Sequence, residues 1–268
     1  MTLNMAKSTS IRRKPGAFEK RVHEIDFFRG LLIILVVVDH LMIQFYINNT
    51  FSSELQAAAS WYYHLQIRFV IRFIALIGFC FISGISSAFS RNNWVRSGQL
   101  LLVWGLLAVV TSIFQFYKVF GDFHMFISFN IIGALAWSTL LYCFVQNKSW
   151  RSILVMVLVA FLISWYVVPW LQRINEIRGV TPWAPALFEP VHFTYGDWMP
   201  LFPFAMFFML GALLSFFVYQ PRKESVFPTR FEWERPFCFV GRHTMVIYFG
   251  HIMILVPIFF ALNAIFGA

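Results

Sequence analysis

Charge is scarce in this chain. Asp, Glu, Lys and Arg make up only 12% of its 268 residues, about half the ~25% usual in soluble domains, so most of the surface cannot be built for water. Cysteine is scarcer: Cys80, Cys143 and Cys238 form an odd set in or beside apolar segments. They show no metal-ligand spacing, which argues against both a disulfide framework and a zinc site. There is no internal repeat or low-complexity tract, which counts against an inverted-repeat transporter. No small-residue cleavage site closes the first apolar run, which follows a polar tail. It reads as a retained helix rather than a signal peptide.

What is present is apolar. The chain is 59% hydrophobic and 20% aromatic, with 34 Phe and 10 Trp, and its mean hydropathy is +0.70. That composition predicts an all-α, polytopic membrane helical bundle whose surface faces lipids. A window of about 19 residues places spans near 27–47, 66–89, 99–119, 127–146, 151–171, 199–219 and 241–266, about seven transmembrane helices. Two segments divide the chain: a basic cytoplasmic tail, 1–25, and one membrane domain, 26–268. The connection 48–60 reads as a short outer loop. The connection 172–198, with several prolines, is longer than usual and reads as an outer lid.

The basic residues set the orientation. Lys7, Arg12, Arg13, Lys14, Lys20 and Arg21 crowd the tail. Arg29, Arg91, Arg96, Lys148, Arg151, Arg222, Lys223, Arg230, Arg235 and Arg242 fall on the same side, against Lys118, Arg173 and Arg178 opposite. The N-terminus is therefore expected in the cytoplasm. This asymmetry also accounts for the net charge of +9 without nucleic acid, because the cations are spread over separate loops rather than one face.

The ionisable residues inside the spans are the candidate site. A charge at bilayer depth costs about 2.5–3.5 kcal/mol, so such residues usually face a cavity and mark function. Asp39 and His40 lie well inside the first span. His40 has the residue type of a general base, and a structural histidine bonded to a carbonyl is an equal reading. His64, Arg68 and Arg72, assigned to the second span, are spaced i, i+4, i+8 and are expected on one helix face descending from the outer surface. Either Arg68 snorkels outward and Arg72 pairs with a structural carboxylate, or both hold phosphate or carboxylate groups of a ligand. Thr244, Tyr248 and His251 form a second stripe, in a helix that Pro257 is expected to kink. Thr111, Gln115 and Lys118 form a third, and Asn130 opens the fourth span. Asp26 and Arg29, at i and i+3, are expected to pair. A shared polar cavity accounts for all these stripes.

A family resemblance rests on several of these strings. Ile25-Asp26-Phe27-Phe28-Arg29-Gly30 followed by His40 resembles the opening motif of membrane acyltransferases. Phe81-Ile82-Ser83-Gly84-Ile85-Ser86-Ser87, then Asp197-Trp198-Met199-Pro200 and Leu210-Gly211-Ala212, resemble the heparan-α-glucosaminide N-acetyltransferase catalytic-domain family and its small bacterial members. Gly241-Arg242-His243-Thr244 with Tyr248 and His251 is similar to the superfamily's closing motif. In order and spacing the resemblance covers roughly residues 21–256.

The resemblance implies acetyl transfer from acetyl-CoA, as co-substrate and without a metal, to an amine or hydroxyl of a sugar or glycan acceptor. The implied setting is the bacterial inner (plasma) membrane, and a homo-oligomer is compatible with such a bundle. The family's catalytic histidine corresponds either to His40, by the opening motif, or to His64, by spacing back from Gly84. Asp197 would orient the base or grip the acceptor, with N-capping of the sixth helix as the plainer role. Arg68, Arg72, Arg29, Asn130, Tyr248 and His251 are the candidates for holding the co-substrate. Asn130 departs from the family pattern, since many bacterial members carry a titratable histidine there. Two other readings remain: a transporter of an anionic solute and a non-catalytic membrane protein.

Overall fold

A computed structural model describes residues 22–47, 52–90, 92–118, 127–178, 186–187, 198–222, 225–227 and 231–266. Among these there are helices and no strands. The helices are α1 (His23–Ile47), α2 (Ser53–His64), α3 (Gln66–Ser87), α4 (Asn93–Phe116), α5 (Ile131–Cys143), α6 (Trp150–Leu162), α7 (Val168–Arg178), α8 (Phe204–Arg222), α9 (Arg235–Arg242) and α10 (Thr244–Phe266). A π-helical turn, Ile163–Val167, joins α6 to α7.

Four helical segments are long and apolar enough to cross a membrane: Gln66–Ser87, Asn93–Phe116, Trp150–Ile174 and Phe204–Pro221. The pair Glu232–Arg242 and Thr244–Phe259, meeting at 68°, makes a fifth if it counts as one span. The remaining two expected spans are helical as well. Helix α1 carries Asp26, Arg29 and Asp39 among its apolar residues. Helix α5 has 13 residues, a rise of about 20 Å against a hydrocarbon core of about 30 Å.

Helix α5 is short because the chain before it, 127–130, is non-helical and mostly buried. Ile127 N donates to Thr111 Oγ1 at 3.2 Å, Trp104 Nε1 to the Ser128 carbonyl at 3.0 Å, and Met199 N to the Phe129 carbonyl at 2.9 Å. Irregular backbone persists inside a membrane protein only when it is satisfied in this way. Asn130 then starts the helix, its Oδ1 accepting from Ile132 N and Gly133 N.

One further expectation changes. Residues 53–60, taken as part of a loop, belong to α2, which Ser52 caps by accepting from Leu55 N at 3.4 Å. Glu54, Leu55, Gln56 and three alanines are good helix formers, but a hydropathy window does not register a short helix of mixed polarity. Helix α10 includes Pro257. The sharp bend in that segment is at His243, whose φ of −105° and ψ of 19° separate α9 from α10.

Glycines set the two closest crossings. A Cβ on Gly30 would strike the Phe237 carbonyl, and one on Gly241 the Asp26 carbonyl, so α1 and α9 meet backbone to backbone. Gly84 against Phe208, and Gly211 against Phe81, do the same for α3 and α8. Small residues permit such approach where lipid supplies no hydrophobic drive between helices. Gly98 and Gly105 of α4 have open space beside them. Gly84→Val is therefore expected to lower the melting temperature in detergent markedly, since overpacking costs about 1–3 kcal/mol, while Gly105→Ala leaves it level or raised.

Outside the core of Phe79, Ile132, Tyr142 and Phe208, the surface is apolar. Phe69, Val70, Phe73 and Ile74 of α3 and Leu102, Leu106 and Val109 of α4 are exposed. Such a surface suits hydrocarbon and would aggregate in water.

Candidate active site

Helices α1 and α3 run antiparallel: Leu32 packs where a Cβ on Gly78 would point, and Asp39 reaches Arg68. Between them and α4, α5, α9 and α10 lies a cavity of about 600 Å³. Its near end is where α1 starts and its far end is where α1 finishes. The middle is lined by Val36, Ala75, Leu76, Phe79, Ile132 and Leu135, all apolar.

At the far end Asp39 and Arg68 form a fork. Arg68 Nε donates to Asp39 Oδ1 at 2.6 Å and Nη2 to Oδ2 at 3.2 Å, with Asp39 8% and Arg68 4% exposed. Tyr62 Oη donates to the same Oδ1 at 3.0 Å, and the guanidinium lies over the Tyr62 and Tyr63 rings at 5.7 and 4.9 Å. Burial, and then the neighbouring carboxylate, hold the Tyr62 hydroxyl above its ordinary pKa, so it stays a proton donor. Arg68 is thus committed to Asp39. Arg72, one turn further in, also lines the cavity and makes no hydrogen bond or ion pair among the described residues.

Beside this fork the two histidines meet. His40 Nδ1 lies 2.7 Å from His251 Nε2, the rings stacked at 5.0 Å, and His251 Nδ1 lies 3.0 Å from the Ile247 carbonyl. Tyr248 packs its edge against His251 with centroids 5.8 Å apart and accepts from Asn130 Nδ2 at 3.5 Å. Asn130 therefore sits behind Tyr248 as a cap and brace.

The near end is cationic. Arg29, Arg96 and Arg242 line it. Arg96 Nη1 donates to Ser87 Oγ at 3.1 Å, and Arg242 Nε donates to Asp26 Oδ2 at 3.3 Å. The sequence led to an expected Asp26–Arg29 pair; the ion pair that Asp26 forms among the described residues is with Arg242 of α9, which the Gly30–Gly241 crossing brings against it. From Arg29 to His40 the axis of α1 rises about 16 Å.

The structure therefore brings His40, Arg29, Arg68, Arg72 and Tyr248 to one cavity, with His251 bonded to His40. His64 is not on its wall. Helix α2 ends at His64 and α3 begins after Leu65, whose ψ of 119° breaks the run, so the expected His64–Arg68–Arg72 stripe is not one helix face. His64 is exposed, held by the Ser60 carbonyl at 2.8 Å and by ring contacts with Tyr46 and Tyr63. Asp197 lies outside the described residues. The sequence reading left out Arg96 as a site residue. Its signal was Asn92, which caps α4 by accepting from Val95 N, so the helix starts earlier than the hydropathy window placed it. Among the described residues no three His, Cys, Asp or Glu side chains converge as a metal site.

A lipid-facing helical exterior around a chamber walled by His40 and several arginines defines an integral membrane protein with an internal reaction or binding site. The chain belongs to the heparan-α-glucosaminide N-acetyltransferase catalytic family, whose model matches residues 21–253, and this places it among membrane transferases of the acetyltransferase type. No curated protein and no solved structure matches the chain.

Proposed function

We propose that the protein moves an acetyl group from acetyl-CoA to an amine or hydroxyl of a sugar or glycan acceptor, with His40 as general base. One observation carries this reading: a single cavity holds His40 near its far end and three arginines at its near end, about 16 Å apart along α1. That is a length a stretched pantetheine arm spans, with apolar wall between. Guanidinium forks suit phosphate groups, and the near end is the side of the basic tail, which the positive-inside rule puts in the cytoplasm. The membrane is then the bacterial inner membrane, and the acceptor arrives from the far end.

The co-substrate would supply an activated acetyl group as a thioester. His40 Nε2 takes the proton of the acceptor amine or hydroxyl as that group bonds to the acetyl carbon. It returns the proton to the departing thiolate as the C–S bond breaks. Arg72, on the same wall, supplies positive charge where oxyanion character develops. The Asp39–Arg68 fork, neutral as a pair, holds the α1 segment that carries His40.

The test is acetyl-CoA binding by calorimetry on detergent-purified protein, followed by transfer of a labelled acetyl group to amino-sugar acceptors. Saturable binding with transfer supports the reading. No binding by folded protein, or solute flux in liposomes without CoA, overturns it in favour of transport. Arg96→Ala is expected to weaken acetyl-CoA binding by about tenfold or more, since a hydrogen bond to a charged group is worth about 1.5–3 kcal/mol.

A further inference from the structure

The geometry points to His251 as the positioning residue that fixes the tautomer of His40, a role that rests on His40 being the base proposed above. The Ile247 carbonyl, 3.0 Å from His251 Nδ1, can only accept, so that nitrogen carries a proton. In neutral His251 the lone pair is then on Nε2. His40 Nδ1, 2.7 Å away, must be the donor. That assigns the His40 proton to Nδ1 and its lone pair to Nε2. A backbone carbonyl on α10 thus determines, through one imidazole, which nitrogen of the residue on α1 can act as a base.

The same bond serves the charged state. When His40 gains a proton on Nε2, Nδ1–H becomes a stronger donor and His251 Nε2 is already aligned to receive it. An acceptor held in place in advance costs no reorganisation during the reaction. The supporting parts are rigid. Tyr248 packs on the His251 ring, Asn130 bonds Tyr248, and Asn130 is fully buried as the cap of α5. Among the described residues, Asp39 on α1, locked to Arg68 of α3, and Arg72 of α3 line the same cavity as His40. Neither His251 nor its carbonyl partner needs to touch a substrate for this role. The competing account is a plain interhelical tie between α1 and α10, which any well-packed side chain could replace.

The experiment is ¹⁵N NMR of imidazole-labelled protein in detergent, as wild type, His251→Gln and His251→Phe, with turnover measured alongside. The chain has seven histidines, and the His40 signals are identified by their loss in His40→Gln. Wild type and His251→Gln are expected to show His40 protonated at Nδ1, because glutamine keeps an acceptor oxygen. His251→Phe is expected to lose that preference and to drop kcat by about a hundredfold with KM little changed, with glutamine recovering much of the rate. Finding His40 protonated at Nε2 in wild type overturns the inference. So does equal loss in both variants, or a loss confined to KM or melting temperature. An Nδ1–H tautomer that depends on His251, in a protein that transfers no acetyl group, leaves the positioning intact and refutes the acetyltransferase reading instead.

Discussion

His40→Gln is expected to abolish acetyl transfer almost completely. The residual rate should be about 10² to 10⁴ times lower, the usual contribution of a positioned acid–base group. Glutamine is chosen because its amide nitrogen can still donate to His251 Nε2, which would preserve the contact between α1 and α10. Acetyl-CoA affinity should stay close to wild type, since the arginines proposed to hold it lie at the other end of the cavity. Full activity in this variant, with folding verified by an unchanged melting temperature, removes His40 from the chemistry.

Arg68→Ala is expected to cost more stability than any surface change. It strands Asp39, 8% exposed, without the guanidinium that holds both its oxygens. Breaking a buried ion pair from one side typically costs about 3–5 kcal/mol, because the surviving charge is left unpaired. A double replacement, Asp39→Leu with Arg68→Met, removes both charges and is expected to recover much of the melting temperature. Activity separates the roles further. If the fork only supports α1, the double variant folds and retains measurable turnover. If the double variant is as unstable as Arg68→Ala, unpaired charge is not the cause of the loss.

The helical stripe in the last span shows what sequence spacing can reveal. Thr244, Tyr248 and His251 lie on one helix, so their shared face followed from period alone, and all three are at or beside the cavity. The His64 stripe failed for the complementary reason. Its spacing was right, but a break at Leu65 divides the residues between two helices. Contacts between helices were hidden altogether. Asp39 with Arg68 depends on how α1 and α3 are rotated against each other, and Asp26 with Arg242 on a glycine crossing between distant segments. Helix positions were legible through hydropathy because burial in lipid imposes a length. Helix α2 and the non-helical lead into α5 were not, since neither is written in average hydropathy.

Helix α1 carries both Arg29 and His40, so the spacing between the cationic mouth and the proposed base is covalent. It is not a product of how separate helices happen to settle. Under the proposed reading the helix acts as a ruler: its rise sets how long a donor arm must be, and its twist sets where the base points. One residue inserted between Gly30 and Asp39 would lengthen the ruler by only about 1.5 Å but rotate its far mark by about 100°. His40 would swing away from His251 while every side chain of the site remained in the chain.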